Sequence, residues 1–84
     1  MANNKPTDTL KDGLLSATIW QGTSAKGVTF YTVTLSRSYK DEQGQWHDSS
    51  SFSGAEVLQI SRLASRAYDR IHELVQENRL AEQS

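Results

Sequence analysis

At Ser53 the pattern of this chain changes, and that change constrains its fold more than any other feature. Before Ser53, β-branched and aromatic residues alternate with hydroxyl and charged residues in short runs broken by glycine. After it, apolar residues recur every three or four positions. Ser53-Gly54-Ala55-Glu56 reads as a capping box. The Ser53 hydroxyl accepts from the Glu56 backbone N–H, and the Glu56 carboxylate reaches back to the Ser53 N–H. Val57, Ile60, Ala64, Ala67, Ile71 and Leu74 continue at helical steps, and Leu58, Leu63, Tyr68 and Val75 widen the stripe. A helix is expected from Ser53 to about Asn78, with 79–84 as a polar tail.

The first half reads as strands. Residues 1–6 are polar and expected to be flexible. Thr7–Lys11 is a short strand, and Asp12-Gly13 supplies a hairpin signal of the type I′ kind. Leu14–Trp20 follows, then a polar loop over Gln21–Gly27. Val28–Tyr39 is the richest β composition in the chain. Lys40–Gly44 is a turn, and Gln45–Ser53 a weaker, serine-rich strand. The order ββββα predicts an α+β fold: a four-stranded antiparallel sheet followed by one long C-terminal amphipathic helix, a single domain over 7–78. Alternation turns Leu15, Ala17 and Ile19, and Tyr31, Val33 and Leu35, toward the helix. Phe52 and Trp46 are expected inward as well. Ser16, Thr18, Trp20, Phe30, Thr32, Thr34 and Ser36, with His47, Ser49 and Ser51, fall on the outer face.

A chain of 84 residues buries roughly 60–65% of its unfolded surface, so its core is thin. A helix of about 23 residues spans roughly 35 Å, whereas four strands are only ~15–19 Å wide. The apolar stripe nevertheless continues through the last turns. A homodimer is therefore expected, in which Ala67, Ile71, Leu74 and Val75 pack on a second copy.

Formal net charge is −1, which argues against a surface that is basic throughout. The chain has no cysteine, so disulfides, thiolate metal sites and cysteine nucleophiles are excluded. Met1–Thr9 lacks the apolar core of a signal peptide, and no run approaches the ~20 residues of a membrane span. A cytoplasmic protein with no membrane association is expected. Asp69, His72 and Glu73 are too few to define a metal site, and the serines have no base at a motif spacing. No cofactor and no catalytic activity are expected.

The outer sheet face presents Trp20 and Phe30 on a hydroxyl-rich floor. Lys11, Lys26, Arg37 and Lys40 lie at its strand ends and loops. Sequence-tolerant proteins hold single strands in this way, stacking bases on rings and meeting phosphates with cations. The alternative is a protein-interaction module that docks through the sheet face or through the Arg62, Arg66 and Arg70 row of the helix.

From about Leu10 to Ile71 the chain resembles the single-stranded-DNA-binding domain of the transcriptional coactivator positive cofactor 4 and, more distantly, the Whirly proteins. The resemblance lies in Ala17-Thr18-Ile19-Trp20, in Ser36-Arg37-Ser38-Tyr39, in the Asp41-Glu42-Gln43-Gly44 turn and in the Ser51-Phe52-Ser53 helix entry. The same pattern is similar to that of small uncharacterised bacterial proteins. The coactivator resemblance implies a homodimer formed through the helices, and single-stranded DNA or RNA binding in a transcription or replication accessory role. Trp20 and Phe30 would stack, and Arg37 and Lys40 would meet phosphate.

Overall fold

The computed structural model describes residues 5–83. Four strands precede one helix: β1 Asp8–Asp12, β2 Leu15–Thr23, β3 Thr29–Lys40, β4 Trp46–Ser49 and α1 Gly54–Gln83. The sheet is antiparallel in the order β1-β2-β3-β4. This is the expected α+β, ββββα arrangement. The expected flexible N terminus falls outside the described residues for positions 1–4.

Each hairpin is closed by glycine chemistry. Asp12 pairs with Leu15, so the loop between β1 and β2 is Gly13-Leu14. Gly13 alone takes a positive φ, 62°, which makes this a type II′ turn instead of the type I′ turn that Asp12-Gly13 suggested. The other two hairpins share one construction. Ser24 and Asp41 open three-residue loops that end on Gly27 and Gly44 at φ 82° and 83°. The Gly27 and Gly44 N–H groups donate back to the Ser24 and Asp41 carbonyls, at 2.9 and 3.0 Å. The Ser24 hydroxyl accepts from Val28 N–H, and the Asp41 carboxylate accepts from Gln43 and Gln45 N–H.

The capping box forms as expected. Ser53 N–H donates to Glu56 Oε1 at 2.9 Å, and Glu56 N–H donates to Ser53 Oγ at 3.3 Å. The helix runs on to Gln83, past Asn78 and through the stretch read as a tail.

Leu15, Ala17 and Ile19 of β2 are buried against Ile60, Leu63, Ala67 and Leu74 of α1, with Leu10, Tyr31, Leu35, Phe52 and Ile71 around them. The helix packs chiefly on β2, with lesser contact to β1 and β3. Arg70 Nε reaches Asp8 Oδ2 at 2.9 Å and ties the helix to β1.

This packing removes two residues, Ala67 and Leu74, from the expected dimer surface. Ala67 is 0% and Leu74 8% exposed, both inside the chain's own core, and Ile71 packs against that core. The helix does not cross the width of the sheet but lies along the strands. Near its start Glu56 meets Arg37 of β3, and near its end Asn78 bonds the Tyr31 hydroxyl. Strand length, not sheet width, covers the second half of the helix. Val75 lies over the hairpin beside Val28 and Tyr31.

Trp46 is also corrected. β4 pairs Trp46 with Lys40 and Asp48 with Ser38, which puts both on the outer face. His47 and Ser49 lie opposite Tyr39 and Arg37 on the helix side, not on the outer face. The chain leaves the sheet after Ser49 to reach the helix layer, with Ser51 N–H donating to Ser49 Oγ at 3.0 Å. That break resets the alternation, so Phe52 packs inward while Trp46 does not.

Candidate nucleic-acid interface

Because Leu15, Ala17 and Ile19 point into the core, their neighbours on β2 and the residues opposite them define the other face. It comprises Thr9 and Lys11 of β1, Ser16, Thr18, Trp20 and Gly22 of β2, Phe30, Thr32, Thr34, Ser36, Ser38 and Lys40 of β3, and Trp46 and Asp48 of β4. No helix covers it. Three aromatic rings stand on it among Ser and Thr side chains.

The rings are held differently. Trp20 Nε1 donates to Thr34 Oγ1 at 3.0 Å, which lays the indole across β3 and leaves it half-buried. Phe30 stands opposite Gly22. A Cβ on Gly22 would come within 2.5 Å of the Phe30 ring, so the glycine is what lets the ring lie flat on the strand. Phe30 is 46% exposed. Trp46 is 58% exposed, and Lys40 Nζ lies 5.5 Å from its ring centroid.

Between these ends the floor is knitted by short polar contacts. Ser16 Oγ lies 2.9 Å from Ser36 Oγ, and Ser38 Oγ donates to Asp48 Oδ1 at 3.1 Å. A shallow trough of about 570 Å³ runs over Lys11, Ser16, Thr18, Ser36 and Trp46. Lys11 and Lys40 supply positive charge, and Asp48 is the one acid on the strands of this face.

The face therefore gathers Trp20, Phe30, Lys11 and Lys40. Lys26 lies apart, exposed in the β2–β3 loop. Arg37 is on the opposite side of the sheet. Its Nε donates to the Ser51 carbonyl at 3.2 Å and lies 3.4 Å from Glu56 Oε1, and its guanidinium sits 5.5 Å from the Tyr39 ring. It clamps the helix entry onto β3 and is not placed to meet a ligand with Trp20. Odd-numbered residues of β3 all face the helix, and Arg37 is one of them.

Trp46 is the one ring of this face that the sequence pattern turned inward. The recoverable signal was the repeat of Ser24-x-x-Gly27 in Asp41-x-x-Gly44. The same three-residue loop sets Lys40 opposite Trp46 and so fixes the face of the ring.

Two carboxyl groups, one in the β3–β4 turn and one at the helix start, are held below their ordinary values. Asp41 is lowered by hydrogen bonds from Gln45 N–H and the His47 ring, and then from Gln43 and Gly44. His47 Nε2 lies 2.7 Å from Asp41 Oδ2 and stacks on Tyr39 at 5.4 Å. Glu56 is lowered by its Ser53 bonds and by Arg37. Both groups stabilise a turn or a helix start. Among the described residues no three His, Asp or Glu side chains stand together as a metal site, and no helix is long and apolar enough to cross a membrane.

No family model, curated protein or solved structure matches this chain.

Proposed function

We propose that this chain is a non-catalytic, homodimeric binding protein whose helix-free sheet face takes up single-stranded DNA or RNA. The observation that carries this reading is the joint placement of Trp20, Phe30 and Trp46 on one hydroxyl-lined face with Lys11 and Lys40. Every base has a π-face, so three rings hold a strand without reading its sequence. Each stacked base contributes ~1–3 kcal/mol, and lysines meet the phosphates. The Ser and Thr hydroxyls donate or accept as the strand requires. Duplex DNA hides its base faces and gains nothing from such a surface.

The test is a fluorescence titration with a labelled 20-nucleotide single strand at low and moderate salt. Tryptophan quenching and weaker binding at higher salt are expected, and a duplex of the same length should compete poorly. Absence of quenching at low salt would refute the proposal.

A further inference from the structure

The two edges of β3 are unequally used. β2 pairs with it along Thr29–Arg37, but β4 covers only Arg37–Lys40. In an antiparallel ladder, successive residues aim their N–H and C=O at opposite edges. Ser38 N–H donates to the Leu14 carbonyl at 2.9 Å, which assigns Phe30, Thr32, Thr34 and Ser36 to the β2 side. The N–H and C=O of Tyr31, Val33 and Leu35 therefore point to the other edge. Among the described residues no strand pairs with them there. An unpaired, apolar strand edge is a template for another chain.

The side chains beside that edge are apolar too. Val33 and Leu35 line a groove of about 260 Å³ with Ala64, Tyr68 and Ile71 of the helix. Val33 is 37% and Tyr68 64% exposed. The flank of α1 above the groove, formed by Val57, Ala64, Tyr68, Ile71 and Val75, carries no charge until Arg79, one turn beyond Val75. Arg62, Arg66, Asp69, Arg70, Glu73 and Glu77 all fall on the other side of the helix.

Surface area agrees. The chain exposes 6336 Å² at a mass of 9.4 kDa. The surface-to-mass relation for compact monomers gives about 5000 Å². The excess, on the order of 1300 Å² over the whole elongated chain, leaves room for the ~800 Å² per partner of a standard-size interface. The radius of gyration, 15.4 Å, compares with about 12 Å for a compact domain of this length.

We propose that a second copy of this chain joins at this edge, β3 against β3 and antiparallel, to form one continuous eight-stranded sheet. A strand edge flanked over Tyr31–Leu35 by apolar side chains is self-complementary under a two-fold axis. An axis beside Thr32 sets Tyr31 of each copy against Val33 of the other and stops short of β4. The two helices, each over its own β2, then stand ~14 Å apart across three strand spacings. That is wider than the 8–10 Å of helices in direct contact, so the two Tyr68 rings fill the gap. The interface rests on the homodimer of the preceding section and not on nucleic acid.

Light scattering on a sizing column and amide hydrogen exchange, both without nucleic acid, test it. The expected mass is twice 9.4 kDa. Tyr68→Glu, at a side chain already 64% exposed, should yield a monomer with unchanged far-ultraviolet circular dichroism. In the dimer the Tyr31 and Val33 amides should be protected as strongly as those of Thr32 and Thr34. In Tyr68→Glu only Tyr31 and Val33 should exchange rapidly. A monomer at all micromolar concentrations would overturn the homodimer itself. A dimer with unprotected Tyr31 and Val33 amides would overturn the β3 interface alone.

Discussion

Trp46→Ala separates binding from folding more cleanly than any other change on the outer face. The ring is 58% exposed, sits on the short edge strand and touches no core residue. Its removal should leave thermal stability within about 0.5 kcal/mol of the parent, as for other surface changes. If the ring stacks on a base, its loss should cost ~1–3 kcal/mol of binding, or about 5- to 150-fold in Kd. Trp20→Ala would not give so clear a result, because Trp20 is half-buried and bonded to Thr34. Anisotropy of a labelled oligothymidine is the assay. Lys11 and Lys40, as two phosphate contacts, give a log–log salt slope of about −1.4 per chain, or about sevenfold weaker binding over a fourfold rise in salt. Lys40→Ala should reduce that slope by about 0.7, whereas Trp46→Ala should leave it unchanged. An affinity for Trp46→Ala within twofold of the parent would refute stacking at this ring.

Four further outcomes follow from the geometry. Gly22→Ala should destabilise the fold by about 1–3 kcal/mol, because its Cβ meets the Phe30 ring, while in a Phe30→Ala background the same change should be neutral or stabilising; a double-mutant cycle by thermal unfolding measures this. Leu63→Ala, at 1% exposure, should cost about 2–5 kcal/mol and abolish cooperative unfolding at ordinary temperature. Asp41 and Glu56 have folded values below their ordinary 3.8 and 4.5, so the folded state binds fewer protons. Their stabilisation is complete above those values and is lost as pH falls through the lowered ones, so Asp41→Asn with Glu56→Gln should flatten the acid limb of a denaturation curve. Phe30 and Lys40 lie ten residues apart on β3, about 33 Å at 3.3 Å per residue, so in the Tyr68→Glu monomer affinity should rise with strand length up to about ten stacked nucleotides at 3.4 Å each and then level off.

The fold was largely legible in the sequence because its signals were local. The capping box, the helical stripe and the alternation of β2 and β3 each need only a few residues of context, and each appears in the structure. What escaped depended on relations between elements. Ala67 and Leu74 looked surplus because sequence does not show that a helix runs along its strands and not across them. Trp46 was misplaced because the chain leaves the sheet after Ser49, and one lost position inverts every side chain beyond it. Arg37 read as a phosphate ligand because composition shows a cation near a strand end. Parity on β3, together with Glu56 and the Ser51 carbonyl, gives it a structural partner instead. Of the outer face, Trp20 and Phe30 were readable from alternation alone. That Gly22 is the seat of the Phe30 ring was not, because it needs the cross-strand register.

Edge and face are separate surfaces of the same strand, and β3 divides them by parity. Its odd residues turn side chains to the helix and backbone groups to the open edge, while its even residues turn side chains to the outer face and backbone groups to β2. Pairing two copies through Tyr31 and Val33 therefore consumes none of Phe30, Thr32, Thr34 or Lys40. It brings the two Phe30 and Trp20 clusters to either side of the axis and sends the two Lys40 and Trp46 ends outward in opposite directions. One strand long enough to cross the axis would gain the second site as an intramolecular event. Tyr68→Glu should then remove that gain for long oligonucleotides and leave short ones unaffected. Trp46→Ala should weaken both and leave the mass of the assembly unchanged. The opposite pattern would mean that the rings serve the assembly and that the sheet face is not where the strand lies.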